Sequence, residues 1–210
     1  MSSMTDYLEN KTLDFILRGQ SFTAPTVLAH ALIYANKGYS SAVRSQAVTS
    51  GDYVIPTTPN GRLYKCTTSG TCGAGEPTWP TTSGGTVSDG SAVWTEQTTA
   101  LEAGTFPEVP NSGNYSRQTL NPSLTNWKST QGDNNVSSGS GGQTSNSVAI
   151  TYGTPSANWG LIWGCMVLDS ATYGAGNPLF YFALTTPKTV NNGDAAPSFA
   201  IGALTNQIDN

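Results

Sequence analysis

Two apolar runs near the C-terminus, Trp159 to Leu168 (WGLIWGCMVL) and Leu179 to Leu184 (LFYFAL), constrain the fold more than any other feature of this chain. The connection between them, DSATYGAGNP, is rich in the Gly, Asn and Asp that turns require. Alternation along the first run places Trp159, Leu161, Trp163, Cys165 and Val167 on one face, and Gly160, Ile162, Gly164, Met166 and Leu168 on the other. Both faces are apolar. A strand of that kind is covered on both sides, so the hairpin 159–184 is expected to be the central strand pair of a sheet. The run is too short to cross a bilayer.

Composition points the same way. Only 10% of the 210 residues are charged and 10% are aromatic, with Gly, Ser, Thr, Asn and Pro supplying a polar but uncharged surface. This is the balance of a loop-rich, mainly β chain with a real core, not of a disordered one. A net charge of −4 provides no basic stripe to neutralise phosphates, which excludes nucleic acid as a partner. The N-terminal stretch MSSMTDYLEN carries Asp6 and Glu9 and has no apolar core of a secretory signal, so synthesis in the cytoplasm is expected. Three cysteines do not make a disulfide framework. Cys66 and Cys72 are close enough in sequence to be bridged, but all three read more readily as small buried hydrophobes.

Residues 5–18 read as a helix. Thr5 stands at the N-cap, Asp6 and Glu9 in the first turn, Arg18 in the last, and Gly19 just past the end. Leu8, Thr12, Phe15 and Ile16 share one side, flanked by Leu13 and Leu17. The helix is expected to pack on the sheet and cover the second face of the hairpin, the alternative being a neighbouring subunit. A strand follows at Val27 to Tyr34, carrying the chain's one histidine, His30, which has no acidic or cysteine partner nearby and reads as structural.

Between residues 48 and 97 short β-prone runs alternate with turn signals, including the hairpin dipeptides Asn60-Gly61 and Asp89-Gly90. This stretch looks like a small β module with its own aromatic set, Tyr53, Tyr64, Trp79 and Trp94. From about residue 101 the sequence returns to the character of the N-terminal segment. A polar segment at 129–147 reads as an exposed loop or a bulge-rich hairpin, Val148 to Tyr152 as a strand, and the stretch from Leu184 onward as two further strands around the turn region NNGD.

No constellation supports an enzyme. Of the 13 acidic residues, Asp6, Glu9 and Asp14 share the helix and the rest are scattered through loops, so no carboxylate pair is set up for acid–base work. One histidine cannot furnish a triad, and Cys66 and Cys72 without a second pair are poor zinc spacing. Gly139 to Gly142 lacks the Gly-Lys-Ser/Thr and the helix of a phosphate loop. No cofactor or metal is expected.

Three segments resemble a family of small virion proteins of tailed bacteriophages, described as phage structural or tail-fibre-like proteins. They are MTDYLENKTLDFILRGQSFTAPT at 4–26, EAGTFPEVPNSGNYSRQTL at 102–120, and NWGLIWGCMVLDSATYGAGNPLFYFALTTPKTVNNGD at 158–194. In such relatives the first strand is followed almost at once by the Glu-Val segment. The resemblance therefore implies an antiparallel β-sandwich made of residues 1–34 and 101–210, with one N-terminal helix, interrupted by a small inserted β module at 35–100. The insert itself is distantly similar to chitin-binding carbohydrate modules of the family five and twelve type. Its Gly-Asp-x-Val, Asn-Gly-x-x-Tyr-x-Cys, Glu-Pro-x-Trp and Val-Trp-Thr-Glu elements carry that similarity. Transferred by position, Tyr64, Trp79 and Trp94 are the candidate glycan-binding residues, the alternative being that these rings are the module's own core.

The resemblance implies a virion structural protein that cements or decorates the capsid by bridging subunits. Its implied partners are the major capsid protein or tail proteins and further copies of itself, with a homotrimer as the family habit of decoration proteins. Two alternatives accompany it: a tail fibre, baseplate or tail-tip component, and a carrier of a glycan-binding module directed at the host surface.

Overall fold

The computed structural model describes residues 3–40 and 43–208; residues 1–2, 41–42 and 209–210, which fall within the two segments delimited above, lie outside the described residues. In chain order the N-terminal half comprises β1 (Ser3–Met4), α1 (Asp6–Leu17), β2 (Ala29–Ala35), β3 (Lys37–Gly38), β4 (Ala47–Val48), β5 (Tyr53–Ile55), β6 (Tyr64–Thr68), β7 (Gly70–Thr71), β8 (Thr86–Asp89) and β9 (Ala92–Glu96). The remainder comprises α2 (Thr98–Glu102), β10 (Gln118–Thr119), β11 (Gln143–Ser145), β12 (Ile150–Thr151), β13 (Gly160–Leu168), β14 (Pro178–Val190), β15 (Ser198–Phe199) and β16 (Thr205–Gln207). The fold is mainly β, with antiparallel sheets and an N-terminal helix.

β13 is the middle strand of a five-stranded sheet ordered β1-β14-β13-β2-β10. From Ile162 to Leu168 every residue is buried, as expected of a strand covered on both faces. The alternation read along the run is interrupted, however. Ile162 pairs with Tyr34 and Gly164 with Ile33, so Trp163 is an extra residue in β13. This β-bulge reverses the phase of the side chains beyond it. Trp163 consequently joins Met166 and Leu168 in one core cluster and not Cys165 and Val167. Gly164 is required there, because a Cβ would lie 2.3 Å from the Phe182 carbonyl oxygen. The return strand also departs from expectation: β14 continues past Leu184 to Val190 through an irregularity opposite the bulge.

The two faces are covered by different material. Against one, Ala31, Ile33, Trp163, Met166 and Leu168 pack with Ile55 and Leu63 from the 37–96 region and Leu101 from α2. Against the other, Leu32 and Ile162 pack with Val109, Tyr115, Leu120, Tyr152, Trp159 and Leu204 from largely irregular chain.

That second cover corrects the expectation for the helix. α1 has no buried residue, and Leu13, Phe15, Ile16 and Leu17 are 54 to 74% exposed. Two causes act together. The face expected to receive it is already filled by the aromatic set Tyr115, Tyr152 and Trp159. The start of α1 is also tethered at the end of the sheet: Thr5 Oγ1 donates to the Pro178 carbonyl at 2.6 Å instead of capping its own helix. The far end is as the sequence indicates, with Arg18 bonded to Asp14 at 2.9 Å and Gly19 at φ +67°.

Strands β3, β5, β6, β9 and β8 form a second five-stranded sheet, and β4 pairs with β7; none of them joins the central sheet by a ladder. The Asp89-Gly90 signal marks the β8–β9 hairpin, with Asp89 paired to Ala92 and Gly90 at φ +61°. A Cβ on Gly90 would meet the Thr71 carbonyl at 2.2 Å.

Candidate functional site

Tyr64, Trp79 and Trp94 are brought together, but not at the surface. Tyr64 and Trp94 are 0% and 1% exposed, and half-buried Trp79 sits between them with ring centroids 4.5 and 6.1 Å away. Their polar atoms are also engaged. Trp94 Nε1 and the Tyr39 hydroxyl donate to Asp89, Trp79 Nε1 donates to Glu76, and the Tyr64 hydroxyl donates to the Pro80 carbonyl. Together with Tyr39, Val54, Cys66, Cys72 and Ala92 these rings form the miniature core of the second sheet. A platform for pyranose stacking needs open ring faces. These rings pack tilted and edge-on against one another instead.

The cysteines are free and buried, as read from the sequence. Burial, reinforced by Asp89, pushes the Cys72 thiol up to about 12, which makes it an inert hydrophobe and not a nucleophile. His30 is fully buried: its Nδ1 donates to the Gln118 carbonyl at 3.2 Å and its ring stacks on Trp127 at 6.0 Å. Desolvation lowers its pKa to about 4, so it is neutral at physiological pH. Its Nε2 has no hydrogen-bond partner. Among the described residues no group of three or more His, Cys, Asp and Glu side chains could hold a metal, and no helix is long and apolar enough to cross a membrane.

The segments singled out at 102–120 and 158–194 meet at Arg117, which forms a buried ion pair within the first of them. Arg117 binds Glu108 through Nε and Nη2, and its Nη1 donates to the Ser170 and Ala175 carbonyls at 2.9 and 2.7 Å. The Tyr115 hydroxyl donates to Glu108 and accepts the Leu32 amide. One guanidinium thus fastens the 169–177 connection of the central hairpin to the Glu-Val segment, with four of its five donors used. The arrangement is a clamp, with the guanidinium turned to holding chain segments together.

A groove of about 480 Å³ lies open at the far end of the second face, lined by Leu28, Trp127, Val167, Phe180 and Ile208 among others. None of its lining side chains is charged. Asn206 lines it too, and the buried Asn206 Oδ1 has no hydrogen-bond partner. Nothing in the spacing of residues 28, 127, 167, 180 and 208 foretells their meeting. The hints are an isolated Ile208 and an isolated Trp127 in otherwise polar sequence.

Residues 91–207 match the family model described as Podophage GP4 fiber I protein gp80. The chain belongs to this family of phage structural proteins. No curated protein matches it significantly.

Proposed function

We propose that the chain is a component of the tail fibre of a podophage, acting by assembly and contact and not by catalysis. The observation that carries this reading is the fiber-family match, which spans β9 through β16 and so includes the clamp and the central hairpin. The physical features agree with it. The sheet is clad on both faces, the sequence carries little charge, and the buried Arg117–Glu108 pair is engaged in holding a loop.

Capsid decoration, the role implied by the sequence resemblance, takes second place because the family description speaks of a fibre and not of a shell. Residues 35–100 are read as an insertion whose strands pair among themselves while Ile55 and Leu63 anchor it to the central sheet.

A phage lacking this chain tests the choice. A fibre component predicts normal yields of filled, heat-stable heads with adsorption to the host reduced at least tenfold. Heads that leak DNA on heating, with adsorption per intact particle unchanged, contradict it and support a capsid role.

A further inference from the structure

We propose that the C-terminal half of α1 is the natural occupant of the groove at Trp127 and Phe180, supplied by a second copy of the chain. Two unpartnered apolar features of opposite shape occur in this chain. Leu13, Phe15, Ile16 and Leu17 stand 54, 57, 67 and 74% exposed on one three-turn helix. Single exposed hydrophobes are ordinary, but Leu13, Ile16 and Leu17 fall within about 100° of one another around the helix and form a patch of the kind that marks an interaction surface, with Phe15 on the other side. The groove is its concave counterpart, lined by Leu28, Trp127, Val167, Phe180 and Ile208.

Charge favours the pairing. The groove presents no charged side chain, and the charges nearest the exposed end of the helix, Asp14 and Arg18, neutralise each other at 2.9 Å. Burying that end therefore desolvates no unpaired ion.

A second copy fits better than the same chain. Within one chain α1 is held at its start by Thr5 on the Pro178 carbonyl, and it passes into the linker that leads to Leu28 of the groove wall. Its exposed half finds no partner there. One helix end buries well under the ~800 Å² per partner of a standard interface. Each copy, however, can give a helix and accept one. Such a head-to-tail contact doubles the buried area per copy and builds a closed ring or an open filament according to its rotation.

The full-length chain tests this by sedimentation equilibrium and disulfide trapping. The expected results are an average mass that rises with concentration above the 21.9 kDa monomer, and association weakened at least tenfold by Ile16→Glu with Leu17→Glu. These positions are exposed, so the thermal midpoint should be unchanged. In a mixture of Leu17→Cys with Ser137→Cys on the groove rim, oxidation should yield a crosslinked pair containing one copy of each. Three results overturn the proposal: a strict monomer at all concentrations, an oligomer insensitive to the Glu variants, or a crosslink formed only within a single chain carrying both cysteines.

Discussion

The Arg117 guanidinium and the Glu108 carboxylate meet through paired hydrogen bonds of 2.8 and 2.7 Å, with side chains only 2 and 7% exposed. The pair lies within the 102–120 segment, and Arg117 reaches from it to the Ser170 and Ala175 carbonyls of the hairpin connection, far away in sequence. Removing one partner leaves an uncompensated buried charge, which costs about 3–5 kcal/mol. Arg117→Ala should lower stability by that amount in urea titration. Arg117→Met with Glu108→Leu should lose less than Arg117→Ala alone, since no charge is then stranded. A double variant as unstable as the single one would show that the carbonyl contacts of Arg117, and not its charge, carry the effect.

His30 makes acid stability a readout of core packing. Its folded pKa of about 4 lies below the ordinary 6.5, because burial disfavours the charged ring. Between those values the unfolded chain binds a proton that the folded chain does not, so stability falls as pH drops from about 6.5 towards 4. The full effect is about 3 kcal/mol. His30→Gln should flatten that part of the stability profile, as measured by denaturant midpoints from pH 7 to pH 4. An unchanged slope in the variant would assign the acid sensitivity elsewhere.

Gly164 fixes the bulge. An added methyl would sit 2.3 Å from the Phe182 carbonyl oxygen, so Gly164→Ala must push β14 away from β13. Overpacking of this kind costs about 1–3 kcal/mol. The variant should lose stability in that range and show faster amide exchange at Phe182 and Ala183. Equal stability would mean that the two strands separate there without cost.

Trp94 and Trp79 separate core from platform. Trp94→Ala removes a fully buried ring and should cost about 3–5 kcal/mol, whereas Trp79→Ala should cost less, since Trp79 is only half-buried. Chitin pulldown by the native chain that disappears with Trp79→Ala, at unchanged stability, would contradict the reading of these rings as core.

Much of the architecture is legible in the sequence. The run 159–168 announces a strand buried on both faces, and the Thr5 to Gly19 pattern delimits the helix. Gly90 marks a hairpin, and the cysteines read as hydrophobes. The failures have physical causes. The Trp163 bulge is invisible to alternation, because only the register of the partner strands reveals an extra residue. The apolar arc of the helix calls for a partner and so points to the second face, but irregular chain bearing Tyr115, Tyr152 and Trp159 occupies that face. The groove joins residues from widely separated places in the chain, which local patterns do not connect.

The reading of the chain as a tail-fibre component is tested most directly by where it sits on the particle. Gold-labelled antibodies raised against the folded chain and applied to intact virions should decorate the fibres beside the tail and leave the head bare. Label spread over the head, with none at the tail, would contradict the account.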